Sequence, residues 1–302
     1  MQEIFHIESI SDMHDVFGLP KPKHPLVSII RFKNAQIKPE YHHIRCSFGM
    51  YCITQKNETD GSMRYGRNSY DFQEGSMVFI KPGQVLSYDG HQSSAKDPGW
   101  ALLFHPDLIR KSGLGKTIDD YSFFSYDLTE ALHISEDEKL ALNEILAKIE
   151  NEYQQNIDRH SQKLIVSNIE LLLDYCTRYY DRQFYTRTNV NKDILAKFEA
   201  LLKNYYSNGN QLDKGIPSVH YCGTELNMSP KYLSDLLKKE TGRNAKTHID
   251  DFLINKAKNS LLRSTESVSQ IAYSLGFEYS QHFSKIFKAK TGISPREYRN
   301  LN

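Results

Sequence analysis

Two stretches near the end of the chain, SVHYCGTELNMSPKYLSDLLKKETGRNA from Ser218 to Ala245 and SVSQIAYSLGFEYSQHFSKIFKAKTGISP from Ser267 to Pro295, are one pattern written twice. Val219 and Leu226 match Val268 and Leu275 at an offset of 49, whereas Leu233, Leu237 and Gly242 match Phe283, Phe287 and Gly292 at an offset of 50. The extra residue falls in a turn. The shared positions are those that start and stop helices. Ser218 and Ser267 are placed as N-caps, whose side chains accept the free N–H groups of a first turn. Gly276 follows the short first helix of the second copy, where a left-handed residue is wanted, and Asn227 holds that place in the first copy. Ser229 and Pro230 open the second helix of copy one as cap and first helical residue. Both second helices end in Thr-Gly, after which Asn244-Ala245 and Ser294-Pro295 offer a new cap.

Two short helices joined by a tight turn, the second with a polar and basic outer face, suit a rod that enters the DNA major groove. A repeated α-hairpin that only packs is the alternative, and the doubled pattern with matching caps argues against it. In each second helix the large apolar residues, Leu233, Leu236 and Leu237 or Phe283, Ile286 and Phe287, are expected to face the core. That leaves Lys231, Ser234, Asp235 and Lys238 in copy one, and Gln281, His282, Ser284, Lys285 and Lys288 in copy two, as candidate DNA-binding residues. Gln281 suits adenine, Lys285 suits guanine, and Asp235 suits a cytosine amino group. Asp235 is repelled by phosphate unless it meets that donor or a neighbouring lysine.

Between the copies, Ile249, Phe252, Leu253, Ala257, Leu261 and Leu262 recur at helical spacing and predict one helix from Asn244 to about Ser264. About twenty residues at 1.5 Å each span roughly 30 Å. One turn of B-DNA is roughly 34 Å, so two recognition helices on this rod reach successive major grooves.

Residues from about 193 to 299 resemble the DNA-binding domain of the AraC family of bacterial transcription regulators. The segment KAKNSLLRSTESVSQIAYSLGFEYSQHFSKIFKAKTGISPREYR, Lys256 to Arg299, is similar to that family's signature along its length: IA and GF of the penultimate helix, the FSKIFK core, then TG, SP and YR. The resemblance covers about a third of the chain. It implies two helix-turn-helix units joined by a rigid helix, with double-stranded promoter DNA and RNA polymerase as partners.

Charge divides the chain in the same place. The whole sequence holds 38 Lys and Arg against 37 Asp and Glu. From 193 onward we count 16 against 11, a net +5, which leaves 22 against 26, a net −4, before it. No run approaches the length of a membrane span, and MQEIFHIESISD lacks a basic-then-apolar leader. Cys46, Cys52, Cys176 and Cys222 have no metal-ligand spacing; Cys222, inside a packed helix, is expected as a buried reduced thiol, and the protein as cytoplasmic.

Before 190 the apolar runs are of another kind. LVSIIRF (26–32), FGMYCITQ (48–55), GSMVFIKPGQVLSY (75–88) and WALLF (100–104) read as strands. Helices are expected at about 135–155 and 160–182, the second apolar around much of its circumference. The fold class is therefore α+β: an N-terminal barrel or jelly roll with a helical dimerisation segment over 1–182, a linker at 183–192, and an all-α double helix-turn-helix domain over 193–302. This order resembles AraC regulators whose N-terminal domain is cupin-like, senses a small-molecule effector and dimerises through helices, so a homodimer is expected. No effector-binding residue follows from the resemblance.

The alternative is a metal-dependent cupin enzyme fused to a DNA-tethering module. His42 and His43 are adjacent and would alternate across a strand, while His91 and His105 stand alone, so no metal site is expected. Ser62 and Ser76 lack a nucleophile-elbow pattern and there is no Gly-rich phosphate loop, so no catalytic residue and no cofactor is assigned. An architectural DNA binder is the third reading, distinguished by a low ratio of specific to non-specific affinity.

Overall fold

The computed structural model describes residues 4–41, 45–56, 75–87, 99–155, 158–186 and 188–300. The chain folds as two compact units, Met1–Gln183 and Phe184–Asn302.

In the first unit the chain runs β1 (Ile4–Ile7), α1 (Ile10–Val16), β2 (Val27–Arg31), β3 (Arg45–Phe48), β4 (Tyr51–Lys56), β5 (Ser76–Ile80), β6 (Val85–Ser87) and β7 (Gly99–Phe104). The short helices α2 (Pro106–Ile109) and α3 (Leu114–Thr117), the two-residue strand β8 (Leu132–His133), and the long helices α4 (Glu136–Gln154) and α5 (Ser161–Thr186) follow. β2, β7, β4, β5 and β8 form an antiparallel sheet in that order. β1, β3 and β6 form a second, with β1 parallel to β3 and β6 antiparallel to it. The expected strand at 75–88 is two strands, because Lys81 to Gln84 make a turn and Gly83 takes φ 83°. β6 therefore belongs to the smaller sheet and β5 to the larger. β1, β3 and β8 carry too few residues to show a period and were not anticipated as strands.

The larger sheet is covered on both faces, which explains its apolar runs. On one face Ile30, Cys52, Val78, Ile80, Ala101 and Leu103 pack with Ile7 and Cys46 of the smaller sheet and with Ile10, Met13 and Val16 of α1. The alternate residues turn to the helices. Phe79 lies 4.3 Å from Phe123 and 6.0 Å from Tyr180 of α5, ring centre to ring centre. Trp100 Nε1 donates to Asn143 Oδ1 of α4 at 2.9 Å, and Cys176 Sγ sits 4.0 Å from Met77 Sδ. All six residues of β7 are buried in consequence, as expected of a strand without a solvent face. Each Leu or Phe buried there contributes about 1.5–3 kcal/mol.

α4 begins at a capping box between Ser135 and Glu138, and Arg182 of α5 grips that same Glu138 with two bonds of 3.0 and 2.7 Å. α5 buries Ile165, Val166, Ile169, Leu172, Leu173, Cys176, Tyr179 and Tyr180, whereas Leu164 and Leu171 are 45% and 41% exposed. The segment 183–192, expected as a linker, carries the end of α5 and the start of the next helix. His42, His43, Ser62 and His91 lie outside the described residues.

The second unit is helical: α6 (Thr188–Ser207), α7 (Asn210–Lys214), α8 (Val219–Glu225), α9 (Pro230–Thr241), α10 (Ala245–Arg263), α11 (Val268–Ser274), α12 (Ser280–Thr291) and α13 (Pro295–Arg299). α6 was not anticipated, although Ile194, Phe198, Leu202, Tyr205 and Tyr206 have helical spacing and are buried. All four cysteines are free and buried.

Candidate nucleic-acid interface

The two copies of the sequence pattern fold into the same hairpin, with matching bonds at the first cap, the turn and the final stop. Ser218 Oγ accepts from Tyr221 N at 3.0 Å and Ser267 Oγ from Gln270 N at 3.2 Å, opening α8 and α11. Asn227, at φ 55°, is the one non-glycine with positive φ among the described residues, and its counterpart Gly276 takes φ 88°. Met228 N then donates to Gly223 O at 2.9 Å, as Phe277 N does to Ala272 O at 3.0 Å, closing both turns. The second helices stop alike. Gly242 and Gly292 take φ 75° and 84°, and their N–H groups donate 2.8 Å bonds to Lys238 O and Lys288 O. Thr241 and Thr291 donate back to Leu237 O and Phe287 O at 2.7 and 2.8 Å, satisfying carbonyls that a helix end leaves open. Asn244 and Ser294 cap the helices that follow.

The copies differ where the second helix opens. Ser229 Oγ accepts from Tyr232 N at 3.2 Å, with Pro230 as first helical residue. Tyr279 takes the cap position of α12 and makes no side-chain cap bond.

Burial sorts the helix faces. α9 buries Tyr232, Leu233, Leu236 and Leu237. α12 buries Phe283 and Phe287, but Ile286, expected beside them, is only half-buried, because it lies beyond the stripe those two rings fill. On α10 the buried stripe is Ala245, Ile249, Leu253, Ile254, Ala257 and Leu261. Leu262, counted into that face from its spacing, is 43% exposed: it stands one residue, about 100°, past Leu261.

Of the candidate contact residues, Lys231 and Lys238 on α9 and Gln281, His282, Lys285 and Lys288 on α12 are exposed, while Ser234, Asp235 and Ser284 are half-buried. Gln281, Lys285 and Lys288 stand at i, i+4 and i+7, one stripe along α12; Lys231, Asp235 and Lys238 do the same on α9. Asp235 Oδ1 lies 3.6 Å from Lys231 Nζ, so the lysine that the carboxylate needs near phosphate is its own neighbour. Ser284 spends its hydroxyl proton on Ser280 O at 3.0 Å. The His282 ring meets Phe277 edge-on at 5.8 Å.

Two surface aromatics that spacing alone did not single out flank the second turn, Tyr273 and Tyr279, 54% and 61% exposed. Tyr279 had a signal: a tyrosine stands at a cap position where its copy has serine.

A helix-turn-helix domain family matches residues 222–301. An uncharacterized HTH-type transcriptional regulator of Bacillus subtilis, YobQ, is 35% identical over 71 residues, 24% of this chain and 30% of that protein. The HTH-type transcriptional activator RhaR of Cronobacter sakazakii is 32% identical over 91 residues, 30% of this chain and 32% of that protein. Residues 222–301 are a helix-turn-helix domain of the AraC type. Among solved structures, a transcriptional regulator with an AraC-type DNA-binding domain from Chromobacterium violaceum aligns at 26% identity over 28% of this chain and 74% of that one, with a TM-score of 0.26. The match spans about a third of the length of the curated relatives, and lies in the second unit.

Within this AraC-type domain, α10 packs against α9, α11, α12 and α13, so it is the axle that joins the two hairpins. α6 and α7 add a second tie. Tyr205 meets the Tyr221 ring of α8 at 5.1 Å, while Tyr206 Oη donates to Leu275 O at 3.1 Å, just before Gly276. Neighbouring tyrosines thus hold one hairpin each.

Proposed function

We propose that the protein is a sequence-specific DNA-binding transcription regulator that lays α9 and α12 in successive major grooves of promoter DNA. The observation that carries this reading is the repetition of one capped hairpin on the two ends of a single helix. α10 has nineteen residues, about 28 Å of rod at 1.5 Å per residue, against roughly 34 Å for a turn of B-DNA. Lys285 and Gln281 read guanine and adenine edges; Lys231, Lys238 and Lys288 serve edges or phosphates, and His282, Ser234 and Ser284 make shorter-range polar contacts. Asp235, paired with Lys231, accepts from cytosine or orients the lysine.

The first unit, in this reading, is a cupin-like sensor over 1–182 that responds to a small-molecule effector and allows the regulator to engage RNA polymerase. Its two sheets, with an apolar layer between them, support that assignment. Leu164 and Leu171, seven residues and two turns apart on α5, support a homodimer contact through that helix. No helix among the described residues is long and apolar enough to cross a membrane, and a cytoplasmic regulator fits that.

A metal-dependent cupin enzyme is the competing reading of the first unit. Among the described residues no three His, Cys, Asp or Glu side chains are grouped to hold an ion, and His105 is occupied locally, its Nδ1 accepting from Asp107 N at 3.2 Å. Selection of duplexes from a random-sequence library by the full-length protein tests the main reading. It is expected to return a two-part motif with centres about 10 base pairs apart; a single short motif would oppose it.

A further inference from the structure

Two recognition helices on one rod read a spaced site only if their separation is fixed, and the structure offers one uncharged and one charged device for fixing it. The uncharged one is the tyrosine tie of α6, a ring contact from Tyr205 and a hydrogen bond from Tyr206. The charged one is Asp251, in the first half of α10. Its Oδ1 takes Lys290 Nζ at 2.8 Å, from the last turn of α12, and its Oδ2 takes Arg243 Nη1 at 3.1 Å, from the loop that leaves α9. One carboxylate therefore holds the C-terminal ends of both recognition helices, one per oxygen.

Asp251 is half-buried, at the wall of an open groove. Asp251, Arg243 and Lys290 line an open groove of about 410 Å³ together with Thr247, Asn255 and Lys258. Ile254 of α10 also lines the groove, and the two ion pairs reach from α10 to the end of α12 and to the loop after α9. The groove's cations outnumber its acid by three to one. Without the carboxylate, Arg243, Lys258 and Lys290 face one another as like charges and push the two ends apart.

We propose that Asp251 is a positioning residue that sets the separation of α9 and α12, and with it the half-site spacing the protein accepts. This rests on the two-groove reading above. Asp251 touches no base. It acts through the angle at which two base-reading helices leave α10, and its loss widens the range of spacings tolerated, whatever it does to overall affinity.

The test begins with the duplex that the wild-type, full-length protein selects from a random-sequence library, and with a copy of it carrying one inserted base pair between the half-sites. The insertion shifts the second half-site by about 3.4 Å along the axis and about a tenth of a turn around it. Wild type, Asp251→Asn and Asp251→Glu are titrated against both duplexes, and the affinity ratio is the readout; removal of a negative charge strengthens all DNA binding and cancels from the ratio. An exposed ion pair is worth at most about a fivefold change in an equilibrium constant, so loss of two, with repulsion added, is expected to lower the ratio about fivefold or more in Asp251→Asn. Asp251→Glu is expected to keep it. If Asp251→Asn does not fold, Arg243→Gln, which cuts one pair from a side chain 62% exposed, is expected to show a smaller drop in the same direction. An unchanged ratio in a folded variant would overturn the proposal and leave Asp251 a stabilising residue only. A wild-type selection that yields a single undivided motif would sink the two-groove reading itself, before any variant is made.

Discussion

Asn227 shows how a single residue records the turn that it serves. Its φ of 55° is a conformation that costs an L-residue about 1–2 kcal/mol and glycine almost nothing. Asn227→Gly is therefore expected to leave stability unchanged or to raise it slightly, and Asn227→Ala to lower it by about 1 kcal/mol; urea unfolding of the two variants reads the difference. The match with Gly276 was legible in the sequence because both residue types answer one backbone demand. Contact residues were less so. Spacing found the outward lysines and Gln281, but it took the fold to show Asp235 paired with Lys231 and Ser284 bonded to its own helix. Lys285 remains the sharpest test of base reading. Lys285→Ala is expected to relax base preference at one position of one half-site, a loss of about 1–3 kcal/mol of discrimination. Lys246→Ala, at the start of α10 and outside both recognition helices, should leave the selected motif intact. An unaltered motif for Lys285→Ala would assign that lysine to phosphate or solvent.

His248, also at this scale, ties α10 to the end of α9. Thr241 gives its proton to Leu237 O, so the 2.7 Å contact between His248 Nε2 and Thr241 Oγ1 has the imidazole as donor. Burial pushes its pKa below the ordinary 6.5, so the unfolded chain takes up a proton that the folded chain refuses. The stability this contributes is complete above about pH 6.5 and is lost as pH falls toward the depressed folded value. Thermal midpoints measured from pH 7.5 down to pH 5 should fall for the wild type, and less steeply for His248→Gln.

At the scale of elements, caps and periods predicted α4, α5 and the helices from α8 to α13 closely, because serine, asparagine, proline and glycine act through local geometry. The sheets were harder. β7 is buried on both faces and shows no alternation, and 75–88 hides a turn inside one apolar run; nothing local distinguishes such a run from a single strand. The apolar breadth of α5 has a clearer explanation in the structure. Most of it covers the aromatic face of the larger sheet, through Tyr180 and Cys176 among others, while Leu164, Leu171 and, near its end, Tyr185 are left in water. Leu171→Glu should then cost the fold little, since that side is already solvated, while separating a dimer that uses it. Sedimentation is expected to show a folded monomer with weaker binding to the selected duplex. A dimer that survives the change would place the contact elsewhere.

The whole molecule joins a unit of two sheets and helices to a unit of helices alone, and its charge follows that division, net negative before residue 193 and net positive after it. The basic unit carries its pattern twice, and the central claim is that both copies touch DNA at once. Hydroxyl-radical footprinting of the full-length protein on its selected duplex tests this most directly. Two protected stretches are expected, centred about 10 base pairs apart on one face of the helix, and both should weaken together as salt rises and counterions are released less readily. Protection of one stretch alone, by a protein that is folded and binding, would contradict the account.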